Sequence, residues 1–164
     1  MYSATHIAQF FLNKDPNRKV FDKELREQNG RRFYKGNARL NKYLHIAQNL
    51  YIAMTGQPLF EEHLYAFDNG AVVPSVQENY AILYAKPANV SFPTAIETFL
   101  NKVYKLLENA SLDELIQLSH EDSEWIKKHV YYGKADQRMD SMAHLEEYKE
   151  QYRDVLRVME GMTL

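Results

Sequence analysis

Two pairs of side chains have the spacing of a metal chelate: Asp140 with His144, and His120 with Glu124, each four residues apart and so one helical turn. Neither pair continues to a third ligand. Of the six histidines (6, 45, 63, 120, 129, 144), none has another within four residues and none follows a glutamate by three. The paired-histidine and Glu-x-x-His arrangements that hold zinc or iron are therefore missing. His120 reads instead as structural, its ring capping backbone groups beside a helix start. The chain has no cysteine, which removes disulfides, thiolate metal sites and thiol nucleophiles. Its six glycines (30, 36, 56, 70, 133, 161) never come closer than six residues, so no glycine-rich loop exists to cradle a phosphate. Gly-Lys-Ser/Thr and the G-x-S-x-G elbow are also absent. The expectation is a chain with no catalytic residues, no metal and no cofactor. An enzyme would have to rest on a pocket of converging polar groups that no motif announces.

Charge offers a second kind of chemistry. The net charge is −2, but residues 14–42 carry ten Lys/Arg against four Asp/Glu. This local excess of +6 is either a solvated arm or a contact surface for an acidic partner, with Arg31, Arg32, Lys35 and Arg39 as the contact candidates. A nucleic-acid-binding regulator using 14–42 is the alternative function. The stretch SLDELIQLSHEDSEWIKKHV has helix-turn-helix rhythm, but its second helix would begin His-Glu-Asp-Ser-Glu and set three carboxylates against the phosphates. Two packed core helices are the better reading. Twelve tyrosines and eight phenylalanines are many for a core of this size; Tyr34, Tyr131 and Tyr132, in polar surroundings, fit half-covered rings or interface anchors equally well.

The elements that must position these residues are mostly helices. ATHIAQFFL spaces Ile7, Phe10 and Phe11 helically before Asp15-Pro16 stops it. Residues 14–38 look like an irregular excursion with one short helix. From an N-cap at Asn37, Leu40, Tyr43, Leu44, Ala47, Leu50, Tyr51 and Met54 mark a central buried helix that ends at Gly56. FDNGAVVPSV (67–76) reads as neither helix nor hairpin: Asn69-Gly70 turns the chain, Val72 and Val73 plug into the core, and Pro74 sets up a helix running on through SVQENYAILYA. Pro87 and Pro93 bracket a loop before TAIETFLNKVYKLLENA, and Ser111 with Glu114 forms a capping box for the next helix. Asp122 and Glu124 then favour a helix start, and a last helix spans about 140–160.

ATHIAQFFL, LNKYLHIAQNLYIAMTGQPLF, AFDNGAVVPSV and LDELIQLSHEDSEW, in that order, resemble the SocA-like antitoxin family, the Panacea domain of bacteria and phages. The signature positions are Phe67, Asn69, Gly70, Ala71, Pro74, His120 and Trp125. Where the family has Gly-Pro this chain has Gly70-Ala71, which frees φ at Ala71 and implies a looser turn. The resemblance implies a compact, mainly helical domain without catalytic residues. It would bind a cognate protein toxin directly and, as SocA does, deliver it to a bacterial protease. The expected architecture is one predominantly α domain over 1–164: a helical bundle around a central buried helix, with a short irregular or β-like segment near 58–74. A basic insertion at about 14–38 and an appended C-terminal helix at about 136–162 complete it. Without a basic leader or a membrane-length apolar run, the chain is expected in the cytoplasm.

Overall fold

The computed structural model describes residues 1–86 and 88–164; the loop bracket expected at Pro87 lies outside the described residues. Helices dominate, and among the described residues the only sheets are two antiparallel hairpins. Helix α1 (Ala4–Asn13) starts on Ser3, whose hydroxyl accepts from the His6 amide, and buries Ile7, Phe10 and Phe11 as its spacing predicts. The segment read as an irregular excursion is instead a hairpin, β1 (Leu25–Gln28) with β2 (Arg31–Tyr34). Asn29 and Gly30 both take positive φ (53° and 73°), the conformation that closes a two-residue hairpin turn. Leu-Arg-Glu-Gln and Arg-Arg-Phe-Tyr are largely solvated and carry no apolar alternation, so only the turn announces them.

Helix α2 (Lys35–Thr55) runs through the centre of the fold against α1, α5, α6, α8 and β4. It begins two residues before the expected cap: the Lys35 and Gly36 amides donate to Glu24 O (2.8 Å) and Asp22 O (3.0 Å), so neighbouring main chain replaces a capping side chain. Every residue from Leu40 to Leu50 is buried, the polar ones included. A helix wrapped on all sides must satisfy its polar side chains internally. Gln48 does so by accepting from Leu59 N (2.7 Å) and donating to Phe60 O (3.2 Å), and Asn41 by accepting from Val73 N (2.8 Å). The polar face of α2 is thus a set of clamps for the chain that wraps it.

FDNGAVVPSV also departs from its reading. It forms the hairpin β3 (Tyr65–Phe67) and β4 (Gly70–Val72), turning on Asp68-Asn69, one residue earlier than the Asn-Gly signal suggests. Val72 and Val73 are buried, and Pro74 is the first residue of α3 (Pro74–Glu78). That helix breaks at Asn79, whose side-chain Nδ2 donates to Ser75 O (2.7 Å), before α4 (Tyr80–Ala85). Helices α5 (Thr94–Leu107) and α6 (Leu112–His120) follow, the latter with both arms of the Ser111–Glu114 capping box formed. Helix α7 (Ser123–Ile126) widens into a π-helical turn over Lys127–Tyr131. The last expected helix is split into a 3₁₀ turn (Ser141–His144), α8 (Leu145–Gln151) and α9 (Arg153–Glu160). Tyr148, Tyr152 and Met159 from this stretch are buried. No helix among the described residues is long and apolar enough to cross a membrane.

Candidate functional site

Asp122 caps α7 by accepting from the Glu124 amide (2.8 Å), yet it is fully buried. Its carboxylate is closed in by His45 Nε2, Asn49 Nδ2 (2.7 Å) and the Tyr148 hydroxyl (2.7 Å), drawn from α2 and α8. Burial alone would raise the Asp122 pKa, but the hydrogen bonds and charge from His45, Tyr148 and Asn49 outweigh it and hold it at about 2. Burial, reinforced by the Asp122 charge, raises the Tyr148 pKa, so its hydroxyl stays a donor. The other ring nitrogen of His45 meets Ser119 Oγ (3.1 Å), which in turn accepts from Ala71 N (2.8 Å). One chain of hydrogen bonds thus ties β4, α6, α2, α7 and α8 together.

Serine, histidine and aspartate in a row suggest a nucleophile, but a nucleophile must meet its substrate. Ser119 is 1% exposed, and its oxygen is already engaged by the Ala71 amide. The row is a positioning network. A second network extends it: buried Glu124 holds the Asp140 amide and His144 Nε2 (2.9 Å). Burial alone lowers the His144 pKa, but hydrogen bonds to Glu124 and Glu147 outweigh it and raise it. The Asp140 main chain and the His144 ring therefore meet at Glu124, and among the described residues no group of three or more His, Asp or Glu is placed to hold a metal.

The signature residues gather at the β3–β4 hairpin. The Trp125 indole donates to Phe67 O (3.0 Å) and is sandwiched between the rings of His120 (4.1 Å) and His129 (4.3 Å). His120 lies at the end of α6 rather than capping a helix start; its Nε2 meets Asp68 O (3.2 Å). Burial lowers the His120 pKa against the raising effect of that bond. His129 Nε2 reaches Asp68 Oδ1 (2.8 Å), a hydrogen bond that holds the Asp68 pKa down. Asn69 bonds Asn29 (2.7 Å), joining the tips of the two hairpins. Ala71 is not loose: its amide donates to Ser119 and its carbonyl accepts from Lys42 Nζ (2.6 Å). A proline here would have no N–H to give Ser119, so the departure from Gly-Pro adds a bond.

Lys42 is 1% exposed, and among the described residues no carboxylate pairs with its ammonium. Burial lowers its pKa from 10.5 to about 7. Between those values the unfolded chain holds a proton that the folded chain has shed. Stability is therefore expected to rise with pH from about 7 to 9 in the wild type and to do so less in Lys42→Met; urea midpoints across that range check it. Gly70 makes room for the lysine: at φ 108°, a Cβ there would fall 2.3 Å from Lys42 Cε and 2.9 Å from Ser119 Oγ. Gly70→Ala is expected to cost roughly 1–3 kcal/mol, read as a lowered denaturation midpoint.

The four basic candidates differ in what already engages them. Lys35 pairs with Glu24 (3.0 Å) and Arg39 donates to Ala110 O (3.0 Å), whereas Arg31 and Arg32 stand exposed at the mouth of a cavity of about 350 Å³ beside the hairpin. Arg18 and Arg26 are likewise engaged within the chain, by Leu12 O (2.7 Å) and by Asp113. What the sequence reading missed is the role of His45, Asn49, Ser119 and Tyr148. The one available signal was polar residues, His45 and Asn49, one turn apart on the helix read as central and buried.

Comparison with curated proteins and with solved structures gave no match. A family model, antitoxin SocA-like, Panacea domain, matches residues 40–126, more than half of the 164-residue chain. The match runs from the buried part of α2 to the end of α7. It contains His45, Ser119, Asp122, the β3–β4 hairpin and Trp125, while β1–β2 and Tyr148 lie outside it. The chain belongs to the antitoxin SocA-like, Panacea-domain family.

Proposed function

We propose that the protein is a non-enzymatic antitoxin that neutralises a cognate protein toxin by direct contact. Membership of the antitoxin family over residues 40–126 is the observation that carries this reading. The buried placement of the Ser119–His45–Asp122 row supports the absence of catalysis. The contact surface in this reading centres on the turn after α7, where Val130 (61%), Tyr131 (77%) and Tyr132 (48%) are exposed in succession. Aromatic side chains with a polar tip are effective anchors at interfaces, and this turn continues the helix that holds Trp125 and packs against β3. The signature residues Phe67, Asn69, Gly70, Ala71, Pro74, His120 and Trp125 shape the surface from beneath.

Tyr131→Ala is expected to leave folding stability within about 0.5 kcal/mol of wild type and to weaken toxin binding by about 2 kcal/mol or more. Rescue of growth by co-expression with the product of the adjacent gene tests the reading. Wild type should rescue and the variant should rescue less, at equal abundance. Delivery of the bound toxin to a bacterial protease is the further step in this proposal. It predicts a toxin half-life that shortens when the chain is present and recovers when the protease is deleted.

A further inference from the structure

We propose that the cavity between β2, the start of α2 and the β3–β4 turn binds the phosphoryl group of a small organic phosphate. Three cationic side chains line it, Arg31 and Arg32 from β2 and Lys42 from α2. Lys42 is the unusual member. It is buried at 1% exposure, its one hydrogen-bond acceptor among the described residues is Ala71 O, and in its protonated form two further N–H groups remain to be matched. Buried ammonium groups are ordinarily paired, and here the fold supplies no carboxylate to do it. Gly70, also on the wall, lets Lys42 reach this position, since a side chain there would occupy the space of Lys42 Cε and Nζ.

The lone carboxylate on the wall, Asp68, is held by His129 on the Trp125 side. With Lys42 protonated, the lining carries three cations against one engaged anion, and a bound phosphoryl group supplies the counter-charge that favours that form. That surplus matches a dianionic phosphoryl group better than a single carboxylate. Phe33, Phe67 and Val72 supply an apolar wall for the body that carries the phosphate. At about 350 Å³ the cavity lies at the small end of ligand pockets, the size of a compact metabolite rather than of a folded element.

Titration of the full-length protein with inorganic phosphate, followed by amide shifts in heteronuclear NMR, tests the proposal. Saturable shifts at the Gly70 and Ala71 amides are expected, with binding weakened about tenfold or more in Arg31→Gln/Arg32→Gln, whose exposed positions leave the fold intact. Lys42→Met should abolish the saturable response; if it does not fold, the double arginine variant still decides. Acetate at equal ionic strength should give no saturable shift at these amides. Non-saturating shifts, equal affinity in the double variant, or tighter binding of acetate than of phosphate would each overturn the assignment.

Discussion

Asp122→Ala is expected to lower folding stability by about 3–5 kcal/mol, read as a fall in the urea midpoint with an unchanged slope. Three consequences combine. The α7 cap is lost, the His45 ring and Tyr148 hydroxyl each lose an acceptor in a dry interior, and the Asn49 amide loses its 2.7 Å partner. Asp122→Asn keeps the volume and one carbonyl acceptor and should cost clearly less. The network also fixes a pH signature. The Asp122 pKa is depressed from 3.8 to about 2 in the folded chain. Its contribution, on the order of 2 kcal/mol, is fully present above the unfolded value. It is lost as pH falls through about 4 towards 2. The acid limb of the stability curve should therefore be flatter in Asp122→Ala than in the wild type.

Trp125→Ala should cost a comparable 3–5 kcal/mol, because a side chain only 6% exposed leaves a cavity between two histidine rings. It also removes the donor to Phe67 O and so releases β3 from α7. Trp125→Phe retains most of the apolar area but not the indole N–H. Its cost should be smaller, about 1–2 kcal/mol, and should fall on the hairpin, where faster amide exchange at Gly70 and Ala71 would report it. A near-neutral Trp125→Ala would show that the ring does not hold the hairpin.

Periodicity and caps made the helical frame legible. Ile7, Phe10 and Phe11 predict α1, the stripe from Leu40 to Met54 predicts α2, and Ser111 with Glu114 fixes the start of α6. The hairpins were not legible. Their strands are three or four residues long, too short for alternation to register, and β1–β2 is mostly solvated on both faces. The breaks at Asn79 and Tyr152 were missed because apolar spacing continues across them. The family signature marked the segment that forms β3–β4, and Trp125, but neither the strands nor the network beneath. His45 and Asp122 are 77 residues apart in the chain, and a stripe of apolar residues says nothing about a polar face that is equally buried.

Affinity purification of the tagged, full-length chain co-expressed with the product of its adjacent gene tests antitoxin function most directly. The predicted result is a stoichiometric complex that persists through size exclusion and is lost or depleted with Tyr131→Ala/Tyr132→Ala, a variant that keeps the wild-type denaturation midpoint. Recovery of the well-folded wild-type chain alone, with the neighbour still toxic to the cells that express both, would contradict it.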